Sequence, residues 1–492
     1  MSTQFNEFTP ERMAIAEEIA EIQEEIKRRS LCGRPDLWVE EKLGEHVWSK
    51  QRKIAESVRD NRRTAVHSCH QAGKSFIASR IAGWWLDSHA PGEAFVVTSA
   101  TTGDQVKAIL WREIGRMHAK GALAGRVNQT EWHMPVKQPN GRVEEELVAI
   151  GRKPSEYNPT AFQGIHARYT LVIFDEAAGI PGGSADNPHS LWESADSLIA
   201  NEDSRILVIG NPDDPTGEFA EVCKPGSGWN VIGIDAFETP NFTGEHVPEG
   251  IEHVLVGKTW VEEKREKWGE ENPLWIAKVR GEFPTHTTDG LIPMQWVKQA
   301  QERSLEPGHV HVLGVDVGAG GDKNTVCERR GSVFRMIRRD REPDTMKSCG
   351  NLLADLRKTG AQEARVDYIG VGKGLVDRAQ EQNAPVVGVN VGMPAKAKEE
   401  YENIRAEGFW SLRERFGAGD IDIDPEDDDL AAQLVDLKFD RSSRGRIIIE
   451  SKIQMRRRNR PSPDDADSLM LASLPSTLIG PQEVQELEVL WG

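Results

Sequence analysis

The sequence is poor in residues that staple or anchor a chain. Its 492 residues hold five cysteines, Cys32, Cys69, Cys223, Cys327 and Cys349, odd in number, far apart and never in a CxxC spacing. That excludes a disulfide framework and a cysteine-based zinc site, and it points to a reducing, cytosolic setting. No apolar run approaches the roughly 18 residues that span a bilayer. The N-terminus lacks the basic-then-apolar pattern of a signal peptide, so neither export nor a membrane anchor is expected. Basic residues are outnumbered: 61 Lys and Arg against 79 Asp and Glu leave a formal charge of −18. A simple basic nucleic-acid module is excluded, because phosphate binding needs cations gathered at the contact, and any such contact must be local. With 38% hydrophobic and 28% charged residues, the chain is globular in composition and long enough for up to about three domains.

Residues 8–30 place Ile15, Ile19, Ile22 and Ile26 at helical spacing among Glu and Lys, a packing or partner helix in an N-terminal helical segment, 1–45. Short apolar or β-branched runs at 64–68, 95–98, 171–174, 206–209 and 231–234 alternate with helical stretches. Strands separated by helices predict a mostly parallel α/β sheet over 46–285. Turn residues from Pro284 to Gly290 then mark a linker, 286–305. Runs at 310–315, 324–328 and 332–337 read as three successive strands, followed by a helix around 352–357 and a strand ending at Asp367. They predict a second α/β domain over 306–478, with an acidic tail at 479–492.

The segment Ser68-Cys69-His70-Gln71-Ala72-Gly73-Lys74-Ser75 follows a strand and opens a helix, where backbone N–H groups wrap a phosphate. Lys74 would reach the β- and γ-phosphates and Ser75 would ligate Mg²⁺. Ser68 stands where the pattern GxxxxGK[ST] has its first glycine, so a chance GKS loop is the alternative for this motif alone. About 100 residues later the buried-strand run 171–174 delivers Asp175-Glu176 at a sheet edge. Asp175 would hold Mg²⁺ through water, and Glu176 would orient and deprotonate the attacking water. Asn211, after the strand 205–209, is placed to sense the γ-phosphate, or is a turn residue. Gln51, near Trp48, would read the adenine edge, or is a surface glutamine. The run 96–102 with Gln105 resembles the strand and loop that couple nucleotide to DNA in helicase-like motors, its hydroxyls suited to phosphate.

In the second domain the strand 312–315 delivers Asp316 beside a glycine-rich turn reaching Asp322, and the strand 364–366 delivers Asp367. Pro463-Asp464-Asp465-Ala466-Asp467 opens a helix, with Asp464 and Asp467 on one face. Three acids from two strands and a helix suit two divalent metals for phosphodiester cleavage, with about 4 Å between them; helix caps and strand-end turns are the alternative. Lys452, Arg456, Arg457, Arg458 and Arg460 precede the last acids and would contact a phosphate backbone, or form a solvated face.

With these motifs in this order, over roughly residues 45–475, the chain resembles the large terminase subunit of tailed bacteriophages. The resemblance extends to Phe162-Gln163-Gly164-Ile165-His166, Val279-Arg280-Gly281-Glu282-Phe283-Pro284, Asn403-Ile404-Arg405-Ala406-Glu407 and Ser462-Pro463-Asp464-Asp465-Ala466-Asp467. It implies a RecA-like P-loop ATPase joined to an RNase H-like nuclease, using ATP and Mg²⁺, with Mn²⁺ an alternative at the nuclease. Double-stranded DNA, a small terminase subunit and the procapsid portal are the implied partners. The implied assembly is a ring when docked and a monomer in solution, in the host cytoplasm and absent from the mature virion. The catalytic set carried over is Lys74, Glu176, Asp316, Asp367 and a third acid from Asp464, Asp465 and Asp467, with Asp467 favoured and Asp464 assisting. Gln163 stands where many relatives have an arginine acting on a neighbour's ATP, which leaves Arg168 as the candidate trans-acting arginine. Two rival readings are a helicase or repair motor with a non-cutting second domain, and a non-enzymatic nucleotide-binding assembly protein.

Overall fold

The computed structural model describes residues 10–100, 106–138, 140–152, 167–180, 182, 190–285, 289–318 and 321–479. Thr101, Thr102, Gln105, the motif at 162–166 with Gln163, and the tail from residue 480 lie outside the described residues. The chain divides into two compact units, Met1–Glu262 with Ile276–Pro284, and Glu263–Trp275 with Thr285–Gly492. The segment 263–275, which the sequence reading puts in the first domain, clusters with the second unit.

In the first unit eight strands form one sheet: β1 (Arg63–Ser68), β2 (Ala94–Ser99), β3 (Arg126–Asn128), β4 (Glu131–Lys137), β5 (Val143–Gly151), β6 (Tyr169–Asp175), β7 (Arg205–Gly210) and β8 (Asn230–Ile234). Their order is β3-β4-β5-β2-β6-β7-β1-β8. From β5 to β8 every neighbour is parallel. Leu171, Val172, Ile173 and Phe174 of β6 are each 0% exposed, as a strand covered on both faces requires. The helix Lys74–Ser88 packs against β2, β6 and β7. β3, β4 and β5 pair antiparallel and are additions that the sequence reading does not contain. Their signal is period two: Trp132, Met134 and Val136 are buried between exposed Glu131, Pro135 and Lys137. In the helix Pro10–Cys32, Ile15, Ile19, Ile22 and Ile26 are 50–62% exposed, so no described residue covers the stripe.

The second unit is built on β9 (His311–Asp316), β10 (Asn324–Arg330), β11 (Val333–Asp340), β12 (Glu363–Asp367) and β13 (Val386–Val389), in the order β11-β10-β9-β12-β13. The first three pair antiparallel, and β12 runs parallel to both β9 and β13, an RNase H-like arrangement. Helix Asp464–Ser473 lies on β9 and β10. Gly314 of β9 permits this: a Cβ there would sit closer to Ser468 O and Ala472 N than any real Cβ contact allows. That approach brings the acids of the helix to the end of β9.

The expected linker is corrected by the structure. Residues 286–288 lie outside the described residues, but Met294–Glu302 is a helix, and Leu291, Ile292, Val297 and Ala300 are at most 2% exposed. Leu291 N donates to Leu437 O at 2.8 Å, and Ile423 N to Ala300 O at 3.1 Å. Turn residues at 284–290 mark where the chain leaves the first unit, whereas burial of the following apolar side chains draws 291–302 into the second. A fragment of residues 285–479 should therefore melt well above one of 305–479. Losing Leu291, Ile292 and Val297, at about 2 kcal/mol each, should lower the melting temperature by roughly 12–24 °C. Thermal circular dichroism of the two fragments checks this, and equal melting temperatures would place 286–305 outside the folded unit.

Candidate functional site

In the first unit the ends of β1, β6 and β7 lie side by side. The loop after β1 turns into the helix at Gly73, whose φ of +79° is left-handed, a conformation glycine adopts freely. No described side chain caps that helix, so its first N–H groups are available to an anion. Lys74 Nζ donates to Asn211 Oδ1 at 2.8 Å, and Asn211 Nδ2 donates to Ser68 O at 2.8 Å. Asn211 is thus no plain turn residue, since it ties β7's end to the loop and aims the lysine. Ser75 Oγ donates to Asp175 Oδ2 at 2.8 Å. Burial first, and the nearby Glu176 charge second, push the Asp175 carboxyl up to about 6. Its Oδ1 is buried with no hydrogen-bond partner among the described residues. An orphaned carboxylate oxygen beside a serine hydroxyl is a donor set that fits Mg²⁺. Glu176 holds a left-handed φ of +52°, uncommon for a residue with a side chain.

Gln51 is 4% exposed, and its Nε2 donates to Gly73 O at 3.4 Å. A Cβ at Gly73 would stand 2.5 Å from that nitrogen, so Gln51 presses on the loop. His70 stacks on Trp260 with 6.0 Å between ring centroids. Arg168 sits at the N-terminal start of β6, at the far end of that strand from Asp175. It is largely exposed, pairs with Asp203 at 3.3 Å and lies over the Tyr169 ring. A strand of this length spans about 20 Å, so Arg168 does not reach this chain's own loop. The hydroxyls of Thr98 and Ser99 are corrected as phosphate contacts. Both residues are 0% exposed; Thr98 Oγ1 accepts from Trp111 Nε1 at 2.8 Å, and Ser99 Oγ donates to Arg152 O at 2.9 Å.

In the second unit Asp316, Asp464 and Asp467 converge on the ammonium of Lys452, at 2.8, 3.1 and 3.4 Å. Burial pushes the Asp316 carboxyl well above its ordinary range, although Lys452 opposes the shift. Burial also raises Asp367, with the Asp467 charge adding to the rise, which puts Asp367 within electrostatic reach of the cluster. For Lys452 burial disfavours the charge, yet the three carboxylates hold it above the usual lysine value. Among the described residues no group of three or more His, Cys, Asp or Glu side chains is arranged to hold a metal ion; the Lys452 ammonium stands at the point that Asp316, Asp464 and Asp467 share. Carboxylates already gathered round one cation are the donor chemistry a divalent metal requires.

Asp465 faces elsewhere: it is 0% exposed, pairs with Arg339 at 3.0 Å and accepts from Gln433 at 3.1 Å. Within the basic run Lys452 serves the acids, Arg456 pairs with Asp322, Arg458 with Glu450, and buried Arg460 with Asp436, while Arg457 is exposed. Sequence reasoning missed Lys452 as a partner of the acids and Arg405 beside Asp467 at 3.1 Å. The signal for Arg405 was Asn403-Ile404-Arg405: Asn403 caps the helix by accepting from Ala406 N at 2.9 Å, which fixes the arginine in the first turn.

Two outcomes follow from this division of the acids. Replacing Asp465 by Ala should cost about 3 kcal/mol of folding stability, since it takes a fully buried partner from both Arg339 and Gln433. Asp316→Ala should cost far less, because it relieves repulsion among the acids. In Lys452→Ala the metal-free melting temperature should fall, and Mg²⁺ or Mn²⁺ should raise it by more than in wild type, since a ligand of the folded state stabilises by mass action. Chemical denaturation and metal-titrated thermal melts measure both. A Lys452→Ala protein indifferent to divalent ions would show that the cluster holds none.

No protein-family model matches the chain. A curated relative, a "Probable terminase, large subunit" of Enterobacteria phage P7, is 28% identical over 298 residues, which are 57% of this chain and 55% of that protein. The nuclease domain of the large terminase subunit gp2 of bacterial virus Sf6 aligns with a TM-score of 0.34 and 19% identity, over 38% of this chain and 98% of that domain. The large terminase of a thermophilic bacteriophage aligns with a TM-score of 0.40 and 12% identity, over 88% of this chain and 99% of that one. This chain spans about half the length of the curated relative, and over that stretch its sequence resembles the large subunit of a terminase.

Proposed function

We propose that this chain is the large subunit of a phage terminase, an ATP-driven motor that moves DNA into a procapsid and cuts it with its own metal-dependent nuclease. The observation that supports this most is the pairing of Lys74 with Asn211 and of Ser75 with Asp175, each at 2.8 Å, where three parallel strands end. In this reading 68–75 wrap the ATP phosphates, Gln51 braces the loop beside the adenine, and Lys74 neutralises phosphate charge. Glu176 takes the proton from the attacking water. Ser75 and Asp175 would hold Mg²⁺, which supplies further neutralisation of the phosphate oxygens.

In the second unit Asp316, Asp367 and Asp467, with Asp464, would hold divalent ions, Mg²⁺ or Mn²⁺, whose chemistry is water activation and stabilisation of the leaving oxygen. Lys452 and Arg405 orient the carboxylates and balance their charge. Double-stranded DNA, a small terminase subunit and a portal ring are the partners in this reading, with Arg168 serving a neighbouring copy in a docked ring. The host cytoplasm is the proposed setting; no described helix is long and apolar enough to cross a membrane.

Lys74→Ala and Glu176→Gln should each lower DNA-stimulated ATP turnover by about 100-fold or more, while Glu176→Gln still binds ATP. Asp316→Ala and Asp367→Ala should lose plasmid cleavage in Mg²⁺ or Mn²⁺ and keep ATPase activity. Near wild-type turnover in Glu176→Gln would overturn the motor reading, and undiminished cleavage in both aspartate variants would overturn the nuclease.

A further inference from the structure

The motif Val279-Arg280-Gly281-Glu282-Phe283 takes no part in the reaction as described, yet within the first unit it lies against the phosphate loop. The loop's first two N–H groups are committed away from any ligand. Cys69 N donates to Ile234 O, the last residue of β8, at 2.8 Å, and His70 N donates to Lys278 O at 2.7 Å. Gly281 lies directly over the first of these bonds. Its φ is +63°, and a Cβ built on it would stand 2.6 Å from Cys69 N, 2.9 Å from Ser68 C and closer still to Ile234 O. Both bonded atoms would be struck, so any side chain at 281 must prise the loop from β8.

Gly281 also holds the strand beneath. Its carbonyl oxygen lies 2.5 Å from His67 Nδ1; a carbonyl only accepts, so that nitrogen carries the proton and donates. The His67 ring rests against Phe283, 5.7 Å between centroids. Around the glycine the segment is tied to the chain after β8, through Ala236 N donating to Val279 O at 2.9 Å and Arg280 pairing with Asp235 at 2.7 Å. The root of the loop is therefore fixed from outside. The direction of its later N–H groups, past Gln71 at φ +51° and Gly73 at φ +79°, follows from where that root is held.

We propose that 279–283 is a positioning strap for the phosphate loop, with Gly281 and His67 the residues that set the loop for the phosphates of ATP. This rests on the reading of the loop as an ATP site. The strap acts on binding rather than on the chemical step, because its described contacts run to His67, Cys69, Ile234, Asp235 and Ala236 rather than to Lys74, Asp175 or Asn211.

The test uses the full chain, with steady-state ATP hydrolysis, equilibrium ATP binding and thermal melts for wild type, Gly281→Ala, His67→Leu and His67→Asn. The asparagine amide offers an N–H close to the place of Nδ1. Loss of the His67–Gly281 bond in His67→Leu should raise KM and Kd for ATP about tenfold, with kcat less affected. His67→Asn should regain most of that, and Gly281→Ala should weaken binding further than His67→Leu. A folded His67→Leu protein with wild-type KM overturns the strap, and so does a loss that His67→Asn fails to regain at equal melting temperature. If Gly281→Ala does not fold, the His67 pair decides alone. A wild-type chain that binds no ATP overturns the ATP-site reading and the strap together, whereas ATP binding indifferent to His67 overturns the strap only.

Discussion

Register between parallel strands is the constraint on which the first unit's site depends. His67 of β1 pairs opposite Gly210 of β7, and Asp175 of β6 opposite Ile209, so three strands end at one level of the sheet. Ser68, Asp175 and Asn211 then emerge together. A slip of one residue would turn every side chain of a strand to the other face and would separate Lys74 from Asn211 and Ser75 from Asp175. Packing resists the slip: Val172, Phe174, Ala65 and Val208 belong to one apolar cluster, and a one-residue shift would turn them out of it and undo their close fit.

Both units hold carboxylates out of water, and they balance the charge by different means. Asp175 has one serine hydroxyl and a neighbouring Glu176, so its carboxyl is pushed up to about 6. Asp316 is opposed by the Lys452 ammonium, which is shared with Asp464 and Asp467. Desolvation is the largest influence on both acids, which is why each site demands a cation nearby. A chain with a net charge of −18 achieves this by local placement of single basic side chains rather than by any overall excess.

Close approach of backbones is the second recurring device. Gly314 lets the helix carrying Asp464 and Asp467 settle on β9, and Gly281 lets a returning segment settle on the phosphate loop. In both cases the missing side chain matters because another segment fills its place. A lone glycine in a strand or loop carries little meaning in sequence until that neighbouring segment is known.

The two α/β units and the principal strands that carry the acids could be read from sequence because their signals are local. Apolar runs of strand length, a GKS turn opening a helix and acids at strand ends each depend on a few consecutive residues. β4 also carried a legible alternation in Trp132, Met134 and Val136, which a search for parallel, doubly covered strands passes over. What the tertiary structure alone decided was partnership over long separations. It turned Lys452 toward Asp316, 136 residues away, spent the hydroxyl of Thr98 on Trp111, drew the helix Met294–Glu302 into the second unit, and set Gly281 against Cys69. A basic residue, a hydroxyl or a glycine reads alike in sequence whether it faces water or a buried partner; only the packing of distant segments determines which polar groups lose their water and must find one another.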